Sequence, residues 1–213
     1  MRKYIKEYIN TNYKFDKVTM LGIISLIIVI SGIFGFLYEV IFYYMNSGFK
    51  EIYWRGGNFL PWINIYSYGA LIICILAYKI RKSPLKVFFV SMISCGILEF
   101  LSGYYIYDIL NISPRCWDYN KEILNFGNIG GFVCLRSVIF FGLSGLLLIY
   151  VIVPFCFYLA NKLPKKIFVT FSVVLCLVFL FDEIYNLIIA KIFNLKRASV
   201  IYKKMGLKYI YFK

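Results

Sequence analysis

The sequence contains no histidine and few acidic residues, and both shortages narrow the classes of function. Its 213 residues include no His, and ten Asp or Glu stand against 24 Lys or Arg. Histidine is the commonest metal ligand and a frequent general base, so many hydrolytic and metal-dependent mechanisms lack their usual residue. No Gly-x-x-x-x-Gly-Lys phosphate loop occurs either. We therefore expect no catalytic residue, no metal and no cofactor, and we expect the protein not to be an enzyme.

The cysteines show no Cys-x-x-Cys spacing, so the sequence indicates neither a zinc knuckle nor a dithiol redox motif. Most of them lie in apolar runs, where cysteine behaves as a small hydrophobic residue. Cys116 and Cys134 flank one predicted external loop, and two readings stay open for them: a disulfide, or two free thiols. The six cysteines are Cys74, Cys95, Cys116, Cys134, Cys156 and Cys176.

Apolar side chains, by contrast, are abundant. The chain is 62% hydrophobic and 21% aromatic with a mean hydropathy of +0.76, whereas a soluble domain is about 45–50% apolar. Lipid is the environment that covers so much apolar surface, so we predict a membrane domain. The expected fold class is all-α, a polytopic membrane helix bundle.

Long apolar runs predict about five transmembrane helices, because about 20 residues of helix cross a hydrocarbon core of about 30 Å. Pro154 lies inside the fourth run and is a predicted kink, which membrane helices tolerate. The connection before that run contains Trp117 and Tyr119, which favour the membrane interface, so we expect an interfacial or re-entrant loop there. The predicted spans cover residues 18–44, 63–80, 85–109, 132–161 and 167–190.

The chain divides into three predicted parts: a basic N-terminal segment (1–17), a membrane helical domain (18–190) and a basic aromatic tail (191–213). The net charge of +14 comes from basic residues at the chain ends and between the apolar runs. Such residues set topology and attract anionic lipid. We therefore expect membrane lipid as a partner and no nucleic acid.

The distribution of Lys and Arg predicts a multi-pass protein of the bacterial cytoplasmic membrane with its N-terminus in the cytoplasm. The N-terminal segment, second loop and fourth loop hold 12 basic residues, and the first and third loops hold 4. With five spans the basic tail falls outside, against this trend. One alternative folds residues 167–195 into a re-entrant hairpin at Asp182 and Glu183, although arms of about 13 residues are short for a membrane. The side of the tail stays open.

Charged residues inside the predicted spans are the strongest functional signal. Glu39, Glu99, Arg136 and Asp182 all fall within roughly 15 Å of the external interface if each helix rises about 1.5 Å per residue. A charge in the bilayer costs about 2.5 kcal/mol or more, so such residues tend to face a cavity and to pair. Glu99 is the deepest of them and favours a cavity most.

The charged spans and external loops together define a candidate substrate site in an outward-facing polar cavity. We predict that Arg136 pairs with Glu99 or Glu39, and that Arg55 pairs with Asp118. The alternative interpretations are internal salt bridges that fix helix register, and side chains that extend to the interface. The candidate substrate-binding residues are Glu39, Arg55, Glu99, Trp117, Asp118, Tyr119 and Arg136.

Short motifs in a fixed order resemble a family of small bacterial membrane proteins, the type IV ABC-transporter permeases. The resemblance covers residues 31–154 and implies a membrane transport component for a small solute, energised by a separate ATPase subunit. The motifs are Ser31-Gly32 through Glu39, Arg55-Gly56, Pro61-Trp62, Ile65-Tyr66 with Gly69, Leu98-Glu99, Trp117-Asp118-Tyr119, Asn128 with Gly131, Cys134-Leu135-Arg136-Ser137, and Gly142.

The chain departs from the family pattern at four positions. Asn64 and Ser67 stand where the family usually has proline and glycine, and Phe132 stands where it tends to have arginine. A second acid that the family has about two turns after Glu99 is either missing here or displaced to Asp108. If the family site binds an anion, the loss of that arginine leaves the role to the remaining arginines of the site.

Two other functions stay open from the sequence. One is a non-transporting membrane sensor, assembly factor or regulatory protein whose intramembrane charges are structural. The other is a lipid- or envelope-processing enzyme with Glu99 or Asp118 as acid or base, since burial can raise a carboxyl pKa. A homo-oligomer is compatible with each of these functions.

Overall fold

The computed structural model describes residues 7–111 and 115–208, and this part of the chain is helical and forms no β-strand. The helices begin and end within a few residues of the predicted bounds, so the all-α prediction is confirmed. In chain order they are α1 (Lys17–Asn46), α2 (Asn64–Ile80), α3 (Pro84–Ile109), α4 (Leu135–Lys162), α5 (Lys165–Ile192) and a short α6 (Ala198–Lys204).

Four helices of the described chain are long and apolar enough to cross a membrane: α1, α3, α4 and α5. The sequence predicts about five such helices. The difference is α2, which is apolar but shorter than the other four. The protein is therefore a multi-pass helical membrane protein with at least four candidate spans.

α1 begins at Lys17 because Asp16 caps it. The Asp16 carboxylate accepts hydrogen bonds from the backbone N–H groups of Val18 and Thr19 at 3.1 and 3.2 Å. Thr19 Oγ1 adds a third hydrogen bond at 2.7 Å. A side-chain acceptor at this position satisfies donors that the first helical turn leaves unpaired. The charge-free sequence that follows keeps its backbone bonds within the helix, as lipid requires.

Three of the long helices contain a π-helical segment. These segments are Tyr105–Ile109 in α3, Leu148–Ile152 in α4 and Tyr185–Ile189 in α5. The one in α4 ends two residues before Pro154, at the predicted kink. Proline has no N–H to donate and its ring crowds the preceding turn, so the regular hydrogen-bond pattern breaks there.

α5 continues as an α-helix through Asp182 and Glu183 to Ile184. The alternative of a re-entrant hairpin turning at those two residues is therefore wrong. Both acids find polar partners within the protein, so the helix does not have to turn at them.

The described chain forms two compact units. The first contains residues 7–71 and 150–208, and the second contains residues 72–149. The chain passes from the first to the second within α2, after Leu71, and returns within α4, after Ile149.

In the first unit α1 and α5 pack in parallel. Gly22 of α1 lies against Phe168 near the start of α5, and Gly32 lies against Phe179 further along. A Cβ atom on Gly32 would lie 2.9 Å from Ser67 Oγ and 3.1 Å from both Phe179 Cε2 and the Cβ of Trp62. This glycine therefore lets α2 and α5 approach α1 closely, as small residues do at helix interfaces in membranes.

The two ends of the first unit are built from different segments. At the end where α1 and α5 begin, Tyr8, Tyr13 and Phe15 surround the Phe157 ring with centroid distances of 5.0–5.9 Å. Lys165 also pairs with Asp16 there, at 2.9 Å. At the end where both helices finish, the first loop (47–63) packs against the tail that contains α6.

In the second unit α3 and α4 pack antiparallel. Gly96 faces Val138, Gly103 faces Phe132, and Gly142 of α4 faces Phe88 near the start of α3. A Cβ on Gly142 would lie 2.5 Å from the Phe88 ring. Small residues again set how closely the helices approach.

The parallel packing predicts that the N-terminal segment and the tail lie on opposite faces of the membrane. Compartment-sensitive reporters fused to the N-terminus and to the C-terminus should report opposite compartments, because α1 and α5 start together and finish together. Expression of each fusion is checked by immunoblot. Two reporters active in the same compartment would contradict the parallel pair.

Candidate functional site

The seven predicted site residues divide between the two units. Glu39 and Arg55 belong to the first unit. The other five belong to the second: Glu99, Trp117, Asp118, Tyr119 and Arg136. Each unit therefore has to be considered as a polar cluster of its own.

Glu39 and Arg55 form a largely buried ion pair in the first unit. Arg55 Nε donates to Glu39 Oε2 at 2.7 Å, and the two side chains are 8% and 17% exposed. The Arg55 guanidinium also lies 4.0 Å from the centre of the Tyr43 ring, one helical turn after Glu39. The pair ties the first loop to the last turns of α1. The sequence predicts Asp118 as the partner of Arg55, and the partner shown is instead Glu39.

Asp182 holds the first loop against α5. Its two carboxylate oxygens accept hydrogen bonds from the backbone N–H groups of Phe59 and Leu60, each at 2.9 Å. The carboxylate is 5% exposed and also accepts from Asn186 Nδ2 at 2.8 Å. Three donors on one buried carboxylate are a structural arrangement. Asp182 therefore anchors a loop, and the structure explains its charge without a solute.

Asn186 extends this anchor to the tail. Its Oδ1 accepts a hydrogen bond from the backbone N–H of Ala198, the first residue of α6, at 2.7 Å. Tyr202 of α6 in turn donates its hydroxyl to the Phe59 carbonyl at 2.6 Å. Asp182 and Asn186, four residues apart on one helix face, thus fix the first loop and the tail to each other.

A second acid of α5 faces α2. The Tyr68 hydroxyl donates to Glu183 Oε1, and Glu183 is 6% exposed. Ser67, the neighbour of Tyr68, donates to the Ile28 carbonyl of α1 at 2.7 Å. The serine that departs from the family pattern thus makes an interhelical hydrogen bond.

Glu99 is the centre of the second unit's cluster. It is 8% exposed, its Oε1 accepts from the Tyr119 hydroxyl at 2.6 Å, and its Oε2 lies 2.8 Å from Ser137 Oγ. Tyr119 comes from the loop between α3 and α4, and Ser137 from the first turn of α4. Glu99 and Tyr119, two of the candidate substrate-binding residues, are therefore in direct contact.

Arg136 pairs with an acid that sequence reasoning missed. Its Nη2 donates to Glu122 Oε2 at 2.8 Å, where the sequence predicts Glu99 or Glu39. Its guanidinium also lies 5.1 Å from the centre of the Tyr119 ring. Glu122 is buried, although its loop position suggests exposure. The available signal was the rule that a buried arginine needs a nearby anion.

Trp117 and Asp118 organise the loop itself. Trp117 Nε1 donates to the Phe132 carbonyl at 3.1 Å, and its ring packs edge-on against Tyr107 at 4.9 Å. Asp118 Oδ1 accepts from the backbone and side-chain nitrogens of Asn120 at 3.1 and 2.9 Å. These contacts give both residues a role in loop structure, and the contacts shown do not bring either to Glu99.

Two departures from the family pattern have clear structural counterparts. Phe132, at the position of the family's arginine, is buried and packs its ring against Phe100 at 5.8 Å. Asn64 accepts a hydrogen bond from Asn58 Nδ2 at 2.7 Å. Phe132 thus makes an apolar contact at the position where the family has a charged arginine. Asn64 makes a polar contact at the position where the family has proline.

Cys116 and Cys134 form no disulfide in the structure, and the first is exposed whereas the second is buried. Across residues 7–111 and 115–208, no three His, Cys, Asp or Glu side chains come together in a way that suits a metal ion.

We predict that Asp182→Ala destabilises the protein. The substitution leaves two buried backbone donors without their acceptor, at about 1–3 kcal/mol each. The thermal unfolding temperature in detergent should fall clearly. Asp108→Ala is the matched control, because that side chain is 44% exposed and its bond to Arg115 is 3.5 Å long. Equal unfolding temperatures for the two variants would contradict the anchoring role.

We predict that acidification releases the end of the tail. The Lys208 ammonium, and then the Tyr53 hydroxyl, hold the pKa of Glu51 below its ordinary value. A lowered carboxyl pKa stabilises the fold above the ordinary value, and this contribution is lost as pH falls through the folded value. The Trp54 amide, which donates to the Lys208 carbonyl at 2.9 Å, should then exchange hydrogen faster relative to its intrinsic rate. In Glu51→Gln the Trp54 amide should exchange fast at every pH. A Trp54 exchange rate, relative to the intrinsic rate, that does not change with pH in the wild type would contradict the role of the Glu51–Lys208 ion pair.

A family model described as "Putative ABC-transporter type IV" matches residues 26–187, which include all seven candidate site residues. Comparison with curated proteins and with solved structures gives no match. The matched range covers more than half of the chain and confirms the resemblance seen in its motifs. The chain therefore belongs to this type IV ABC-transporter family.

Proposed function

We propose that the protein is the membrane subunit of a transport system that moves a small solute across the bacterial cytoplasmic membrane with energy from a separate ATPase. The family match over residues 26–187 carries this proposal. Four helices of suitable length and hydropathy support it. The protein itself would have no catalytic role.

The chain would cross the membrane five times. The parallel packing of α1 with α5 supports this number, because an odd number of crossings must lie between two parallel spans. α3 and α4 supply two crossings, so α2 supplies the third despite its length. The loop between α3 and α4 would then lie on the same face as the first loop.

The N-terminus would be cytoplasmic. If the tail lies on the same face as the first loop, the number of basic residues on that face rises from 4 to 11, and the other face has 12. The total count therefore no longer decides orientation. The first span usually dominates, and it has five basic residues before it and two in the loop after it.

An ATPase would dock at the end of the first unit where α1 and α5 begin. Exposed basic residues, among them Lys14 and Lys166, lie there beside the Asp16–Lys165 ion pair. The aromatic contacts of Phe157 with Tyr13 hold the N-terminal segment in place. A partner therefore meets an ordered surface.

The solute would enter from the opposite face, past the Glu99 cluster of the second unit. Ionisable residues within membrane spans are rare, and they often mark solute or ion pathways. Glu99 would be the deepest polar group on this route.

A non-transporting sensor or assembly factor is the second candidate. The observation that favours it is the internal pairing of the charges: Arg55 with Glu39, Arg136 with Glu122, and Asp182 with backbone donors. A separate experiment tests whether the protein is an enzyme that acts on lipid or envelope precursors. Incubation of the protein with a labelled precursor should yield a product if it is such an enzyme.

The experiment for the transport proposal is purification of the tagged protein from its own host in mild detergent, followed by mass spectrometry. We expect an ATPase in stoichiometric amount. Lys14→Glu with Lys166→Glu should remove it, because both side chains are exposed at the proposed docking end. Lys203→Glu with Lys204→Glu is the matched control at the other end and should retain it.

The absence of any nucleotide-binding protein from the wild-type preparation would overturn the proposed function and favour the second candidate. Loss of the ATPase from both double variants would overturn the docking site alone.

A further inference from the structure

We propose that Glu99 is a proton-binding site whose partner Ser137 changes from hydrogen-bond donor to acceptor when the proton binds, so that the immediate polar neighbours stay hydrogen-bonded in both states. This inference goes beyond the transport proposal and rests on the geometry of the second unit alone. It assigns Glu99 a ligand, the proton, whatever solute the protein moves.

The Ser137 hydroxyl has one proton and two acceptors within reach. Its Oγ lies 2.8 Å from Glu99 Oε2 and 2.9 Å from the Cys134 carbonyl oxygen. A serine hydroxyl donates one hydrogen bond at a time and can accept others. The two short contacts therefore cannot both be donations from Ser137 at once.

In the ionised state, Ser137 donates to Glu99 Oε2 and Tyr119 donates to Oε1 at 2.6 Å. The Cys134 carbonyl is not left unpaired, because the backbone N–H of Val138 donates to it at 3.2 Å. The buried carboxylate thus has a donor on each oxygen, as an anion in a poorly solvated place requires.

In the protonated state, the bonds reverse along the same contacts. A proton from solvent binds Glu99 Oε2 and is donated to Ser137 Oγ, and the Ser137 proton turns to the Cys134 carbonyl. Tyr119 continues to donate to Oε1. One proton enters, one O–H bond forms, and the Ser137 hydroxyl rotates. The Cys134 N–H, 3.2 Å from Ser137 Oγ, keeps its acceptor in both states.

The charges around Glu99 come from three elements. From α4, Arg136 lies over the Tyr119 ring and pairs with Glu122. From the loop, Asp118 adjoins Tyr119 and has the cations of Arg115 and Lys121 at 4.0 Å. On α3 itself the titratable neighbour is Cys95, one turn earlier. The nearby acids Glu122 and Asp118 are thus paired with cations, and what distinguishes Glu99 from them is a hydroxyl group on each carboxylate oxygen.

Asp182 of the first unit shows the contrast. Two of its donors are backbone N–H groups. A backbone N–H can only donate, so it cannot accept a hydrogen bond from a protonated carboxyl group. Glu99 has hydroxyl donors on both oxygens, and a hydroxyl can turn from donor to acceptor. The donor type separates a fixed anchor from a site that can change protonation.

The test is infrared difference spectroscopy of the purified protein between neutral and acidic pH. Protonated carboxyl groups have a C=O stretch separate from carboxylate bands, and this band should grow on acidification and shift in D2O. Glu99→Gln should remove one component of it. Asp108→Asn, which changes an exposed carboxyl group, should leave that component in place.

The Ser137 contact has its own signature. Ser137→Ala and Tyr119→Phe should each shift the Glu99 component, because each removes a hydrogen bond to the protonated carboxyl group. Ser137→Thr retains the hydroxyl and should restore the wild-type position. Circular dichroism verifies the helical fold of each variant. Two results would overturn the proposal. One is a carboxyl band of which Glu99→Gln removes no component. The other is a Glu99 component whose position changes in neither Ser137→Ala nor Tyr119→Phe.

Discussion

A polar group surrounded by lipid has to find its hydrogen-bond partner inside the protein, and this constraint governs the structure. The first unit meets it by placing Asp182 under the backbone N–H groups of Phe59 and Leu60. The second unit meets it by placing Glu99 between the hydroxyls of Tyr119 and Ser137. The same chemical need is thus satisfied by rigid donors in one place and by rotatable donors in the other. The first choice fixes a loop and the second leaves a carboxyl group free to change its protonation.

The Asp182 anchor and the parallel contact of α1 with α5 depend on each other. Gly22 and Gly32 let the two helices approach, which brings the end of α5 beside the first loop. Asp182 then reaches the loop backbone, and Asn186 reaches the start of α6. Because the tail is tied to the loop after α1, the tail and this loop lie at the same end of the first unit.

Helix positions could be predicted from the sequence because lipid imposes a simple rule on them. Long apolar runs define α1, α3, α4 and α5 even where they contain Glu99 or Asp182, and the observed helix bounds follow those runs closely. Ion-pair partners could not be predicted in the same way. Arg136 selects Glu122, which is distant in sequence and lies in a loop, since side-chain reach and loop path decide the pair. Glu99 and Tyr119 were both predicted site residues, but the role of Ser137 depends on a 2.8 Å contact that no sequence pattern specifies.

The short length of α2 is explained by where it begins. Tyr66, in its first turn, meets α1 at Gly35, and α1 continues for 11 residues beyond that point to Asn46. At about 1.5 Å per residue, α1 is about 45 Å long and exceeds a hydrocarbon core of about 30 Å by about 15 Å. The first loop folds back along the part of α1 beyond Gly35, where Arg55 pairs with Glu39. α2 (Asn64–Ile80) is at the lower end of the ~17–25 residues that a transmembrane helix needs. The length of α2 is therefore compatible with the five crossings proposed above.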